Sequence, residues 1–65
     1  MKPSKGRIVW YGIEGSYSPA IIVDVDEEQG YVALCVFGVS GFDFVDAEFS
    51  AELADGKWTW PVKDA

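Results

Sequence analysis

Apolar and polar positions along the chain alternate over short distances, and glycine or proline breaks the pattern every few residues. Arg7-Ile8-Val9-Trp10-Tyr11 is rich in β-branched and aromatic side chains and predicts a first strand. Gly12 to Ser18 holds two glycines and two serines and reads as a loop, with Pro19 able to open a strand but not to sit inside one. Ala20-Ile21-Ile22-Val23-Asp24-Val25 predicts a second strand. In unbroken alternation Ile21, Val23 and Val25 share one face, and Ala20, Ile22 and Asp24 the other. Asp26-Glu27-Glu28-Gln29-Gly30 is a polar stop whose glycine suits the left-handed position of a hairpin loop. Tyr31 to Phe37 is a third strand, with Val32, Leu34 and Val36 on one face and Tyr31, Ala33, Cys35 and Phe37 on the other.

Both faces of this hairpin are apolar, whereas a half-solvated antiparallel sheet alternates cleanly between apolar and polar. Either loops cover the second face or another molecule does. After the break at Gly38-Val39-Ser40-Gly41, Phe42-Asp43-Phe44-Val45 alternates as a fourth strand. Phe49 and Leu53 stand four apart behind Asp46, a residue suited to capping, so a short helical turn is expected near residues 47–54; the alternative is that Phe49-Ser50-Ala51-Glu52-Leu53 extends as β and meets the last strand through a turn at Asp55-Gly56. Lys57-Trp58-Thr59-Trp60 closes the pattern, and Pro61 ends it by removing a ladder donor. No long helical pattern and no internal repeat is visible. The expected fold is all-β: a small five-stranded SH3-like barrel over residues 7–62, with residues 1–6 as a flexible lead-in and 63–65 as a tail.

Length sharpens the picture. A chain of 65 residues makes one domain and buries only about 60% of its unfolded surface, so its stability is marginal. Cys35 is the only cysteine and histidine is absent, so neither a disulfide nor the usual zinc-ligand pattern can brace it. Ordinary apolar side chains must form the core, and 49% hydrophobic and 15% aromatic residues suffice for that. No cofactor is expected.

The net charge of −6 disfavours direct contact with nucleic acid or an anionic membrane surface. The N-terminus shows no apolar core of a signal peptide, and the apolar runs are too short to span a bilayer. A cytoplasmic protein with a reduced Cys35 is the expectation.

Read in order, Gly6-Arg7-Ile8-Val9-Trp10-Tyr11, Pro19 to Val25, Val32 to Phe37 and the closing Trp58-Thr59-Trp60-Pro61 resemble small bacteriophage and prophage proteins with an SH3-like barrel. Many of those have a longer loop after the first strand and a histidine near the positions of Trp10 and Thr59, and this chain has neither. The resemblance implies a phage or mobile-element origin, hence the cytoplasm of a bacterial host or a virion. It carries over no catalytic residue.

Among the aromatic residues, Trp10, Phe42 and Phe44 are expected in the core. Tyr11, Tyr17, Trp58 and Trp60 are the candidate binding residues, because Tyr and Trp combine an apolar body with a polar tip. The acidic run Asp24-x-Asp26-Glu27-Glu28 lacks the ligand spacing of a Ca²⁺ loop and reads as a solvated hairpin tip. Catalysis is not expected: no base stands beside a nucleophile, and Cys35 lies mid-strand among apolar neighbours. The leading function is a non-enzymatic interaction module that docks on a protein partner or on its own copy. The first alternative is an acidic mimic that blocks a host nucleic-acid-binding enzyme. The second is a small-barrel enzyme assembled around a symmetry axis, although the valine-glutamine-isoleucine-tyrosine strand of the plasmid-borne dihydrofolate reductase is missing.

Overall fold

The computed structural model describes residues 2–52 and 54–61. Five strands, β1 (Ile8–Ile13), β2 (Ser16–Asp26), β3 (Tyr31–Gly38), β4 (Gly41–Phe49) and β5 (Lys57–Thr59), close into a barrel in the order β1-β2-β3-β4-β5. The first four form an antiparallel meander; β5 runs antiparallel to β1 and parallel to β4. The all-β five-stranded barrel expected from the sequence is present.

The interior follows from strand alternation. Val9, Ala20, Ile22, Val32, Leu34, Val36, Ala47 and Trp58 are buried, with Tyr11, Val25, Val45 and Trp60 packed against them. Each large side chain of this set contributes roughly 1.5–3 kcal/mol by leaving water. The expected inward face of β3, Val32, Leu34 and Val36, is the inward face found.

In β2 the alternation is broken. The β2–β3 register shifts between Ile22 and Asp24, so Val23 is an extra, half-exposed residue. A bulge of this kind exchanges the two faces beyond it. Ala20, Ile22 and Val25 therefore point inward and Ile21 and Asp24 outward, which corrects the unbroken pattern read from the sequence.

Three more expectations are corrected. Gly12 to Ser18 is not a long loop: β1 and β2 pair as far as Ile13↔Ser16 and turn through Glu14-Gly15 alone. Glu14 and Gly15 have φ of 50° and 78°, the two left-handed residues of a type I′ turn, whose twist matches the strands it joins. Pro19 lies inside β2, opposite Trp10. The bond from Ile22 N to Arg7 O (2.9 Å) sets the alternation, which makes Pro19↔Trp10 a non-hydrogen-bonded pair where β1 needs no N–H.

The short helical turn near 47–54 is absent as well. Residues 47–49 belong to β4, residues 51–52 form a bend, and no described residue is helical; Leu53 lies outside the described residues, as does the tail 63–65. Pairing of β4 with β3 holds the main chain extended past Asp46, and local capping does not compete with that ladder. Of the lead-in, Gly6 N donates to Ile22 O (2.8 Å), which ties residue 6 to β2.

Candidate functional site

The outer surface of the β1–β4 sheet divides into an apolar and an acidic half. Register places Ile8 opposite Ile21, Ile21 opposite Cys35 and Cys35 opposite Phe44, an apolar row across four strands. Beside it stand the pairs Trp10↔Pro19 and Phe37↔Phe42. Ile8, Phe42 and Phe44 are 63%, 60% and 68% exposed. Phe42 and Phe44 meet edge to face at 5.6 Å, and Trp10 leans on Tyr17 at 5.9 Å. Trp10, Phe42 and Phe44 are therefore not core residues, contrary to the expectation from their type. Their side of the pleat faces outward because Val9, Val45 and Ala47, on the opposite parity, take the interior.

Towards the β2–β3 turn the same surface becomes acidic. Asp24 and Asp46 flank Ala33, and Asp26 and Glu48 flank Tyr31. Two lysines partly offset them: Lys57 Nζ bonds Glu48 Oε1 at 2.9 Å, and Lys5 Nζ lies 3.9 Å from Asp24 Oδ1. At these exposures each pair contributes at most about 1 kcal/mol.

Of the four candidate binding residues, two line one cavity. Trp58 and Trp60 meet at 5.1 Å, nearly perpendicular, and Phe49 packs on Trp58 at 5.1 Å. These rings line an open cavity of about 650 Å³ with Val25, Asp26, Glu27 and Tyr31. Trp58 is only 3% exposed, so it serves the core first, and its buried Nε1 has no hydrogen-bond partner among the described residues. Aromatic faces beside carboxylates attract cations. The chain supplies its own: the Arg7 guanidinium lies 5.6 Å from the centre of the Trp60 ring, and Lys2 lines the cavity. Tyr11 packs inside, opposite Trp58, while Tyr17 sits on the outer sheet surface against Trp10.

The residues that sequence reasoning missed are Ile8, Phe42 and Phe44. A partial signal existed: β3 is apolar at both parities, so one of its faces lies outside the barrel's own interior, and Phe44 stands directly beside that face at Cys35. Among the described residues no three His, Cys, Asp or Glu side chains converge as metal ligands. Compared with protein-family models, with curated proteins and with solved structures, the chain matches none.

Proposed function

We propose that this protein is a non-enzymatic interaction module that docks a protein partner on the outer surface of its β1–β4 sheet. The observation that carries the reading is the solvent-facing row Ile8–Ile21–Cys35–Phe44, extended by Phe37 and Phe42. Exposed apolar residues scattered singly are ordinary, but a contiguous patch on a chain of marginal stability costs solubility and marks an interaction site. The sequence likeness to small phage barrels supports a mobile-element origin and a place of action in the cytoplasm of a bacterial host. Genes next to this one test the origin: capsid, tail or early phage genes support it, and a housekeeping operon opposes it.

Photo-crosslinking tests the docking surface. Benzoylphenylalanine replaces Phe42 in one sample and Glu28, on the polar turn, in another, inside the cell that makes the protein. A discrete adduct from position 42, lost when Ile8→Lys is added, supports the reading. Equal labelling from both positions, or none from 42, rejects it.

The acidic half of the same surface favours a second reading, occupation of a basic groove on a nucleic-acid-binding enzyme. Asp24, Asp26, Asp46 and Glu48 stand in two adjacent rows rather than scattered. Binding to such an enzyme at moderate salt, lost in Asp24→Asn/Asp46→Asn, supports it; binding unchanged by that pair opposes it.

A further inference from the structure

We infer that two copies of this chain associate by antiparallel pairing of their β4 strands, about a twofold axis at Phe44. The inference rests on the outer sheet surface being an interaction surface, and it names what covers the β4 border of that surface.

A barrel closed by so short a strand leaves part of β4 unpaired. β5 takes up only Glu48 and Phe49. Ser50 N donates to Trp58 O at 2.9 Å, so the even-numbered residues of β4 turn their main-chain groups towards β5 and away from β3. Phe42, Phe44 and Asp46 share that direction, and no described strand lies there to receive them. Their N–H and C=O groups form an open edge beside the most exposed rings of the molecule. Such an edge is a template for another strand.

A second copy of β4 fits this edge, and ring contact together with charge sets the register. The free groups are centred on Phe44, so a second β4 laid antiparallel places Phe44 opposite Phe44 of the second copy, and Phe42 opposite Asp46. On the other side of the pleat Asp43 meets Val45. No carboxylate then faces another. A shift by two residues in one direction sets Asp43 against Asp43, a shift in the other sets Phe44 against Asp46 and parts the Phe44 pair, and parallel pairing sets the two acidic halves side by side. The twofold arrangement instead carries the acidic rows to opposite ends of a continuous sheet.

The same register extends the Phe42–Phe44 contact into a ladder of four rings, because directly opposite and diagonal neighbours on one face are within aromatic reach. At roughly 200 Å² per ring, those four bring about 500 Å² of exposed surface to the seam. That is near half of the ~1,000 Å² a specific interface needs, with paired main chain and flanking side chains supplying the remainder. The product is a weak, concentration-dependent dimer whose net negative charge makes it tighter as salt rises.

Sedimentation velocity of the full chain, from micromolar to millimolar protein and at low and high NaCl, tests this. The expected result is a monomer–dimer equilibrium that moves to dimer with concentration and salt. The full chain made by ligation at Cys35 with an N-methyl group on Phe44 loses the edge donor but keeps every side chain. Association should weaken roughly tenfold or more, with an unchanged circular dichroism spectrum. Phe44→Lys, which sets two lysines side by side, should give the same loss and guards against misfolding of the methylated chain. A monomer under all conditions, or a dimer indifferent to both changes, overturns the inference. A monomer that still forms a position-42 adduct with another protein leaves the docking surface standing and removes only the self-pairing; a monomer without any adduct removes both.

Discussion

The main-chain N–H of Gly15 donates to Asp55 Oδ1 at 3.0 Å across 40 residues of sequence. Gly56 N reaches Gly12 O at 2.9 Å beside it. These two bonds seat the connection before β5 on the β1–β2 turn, and so hold in place the short strand that closes the barrel. Asp55→Ala should lower stability by about 1–2 kcal/mol, as loss of a hydrogen bond to a charged acceptor does. Asp55→Asn keeps an acceptor oxygen and should lose less than half as much. Urea unfolding with an unchanged m-value measures both; equal losses for the two variants would contradict a role for the bond.

Glu14 occupies the left-handed region at φ 50°, where a side chain other than Asn, Asp or Gly is strained. Glu14→Asn creates the Asn-Gly pair that type I′ turns prefer and should stabilise the fold by about 0.5–1 kcal/mol. In a domain of this size that corresponds to a melting temperature about 2–8 °C higher. Gly15→Ala, at φ 78°, should move the midpoint the other way. Thermal denaturation followed by circular dichroism reads both shifts, and a lower midpoint for the asparagine variant would count against this turn geometry.

Leu34 and Phe44 are both large apolar residues on neighbouring strands, one fully buried and the other mostly exposed. Leu34→Ala should cost about 2–5 kcal/mol, enough to unfold much of a marginally stable chain. Phe44→Ser should cost less than about 1.5 kcal/mol, chiefly the edge-to-face contact with Phe42. Chemical denaturation separates them, and a Phe44 variant as damaged as the Leu34 variant would mean that the outer surface is part of the core.

Asp24, Asp26, Asp46 and Glu48 lie in adjacent rows of a chain with net charge −6. Repulsion among them opposes the compact state and is screened by salt. Raising NaCl at constant protein concentration should therefore raise the melting temperature. In Asp24→Asn/Asp46→Asn the rise should be smaller and should start from a more stable protein in low salt. A flat or falling salt dependence in the parent chain would exclude net repulsion at this end of the barrel.

Much of the fold was legible along the chain. Val32, Leu34 and Val36 at period two, the Asp26–Gly30 stop and the apolar content of Ala20 to Val25 define the central hairpin, because side-chain alternation in a strand is a local property. The excess of apolar positions in that hairpin also announced that part of its surface would lie outside the core. The four proposed binding aromatics were legible only as a residue type. Whether a tryptophan is buried in the core, as Trp58 is, or only packs against it, as Trp60 does, depends on strands far away in sequence.

The sequence by itself determined the class of fold, the central hairpin and the presence of more apolar surface than a small core can absorb, since these follow from period, turn chemistry and composition. Tertiary structure alone decided the bulge at Val23, the two-residue turn at Glu14-Gly15, the choice of strand over helical turn at residues 47–49 and the outward placement of Phe42 and Phe44. Each of these is a matter of register, set by main-chain bonds between strands. A register change of one residue exchanges the faces of a strand while leaving its local pattern untouched.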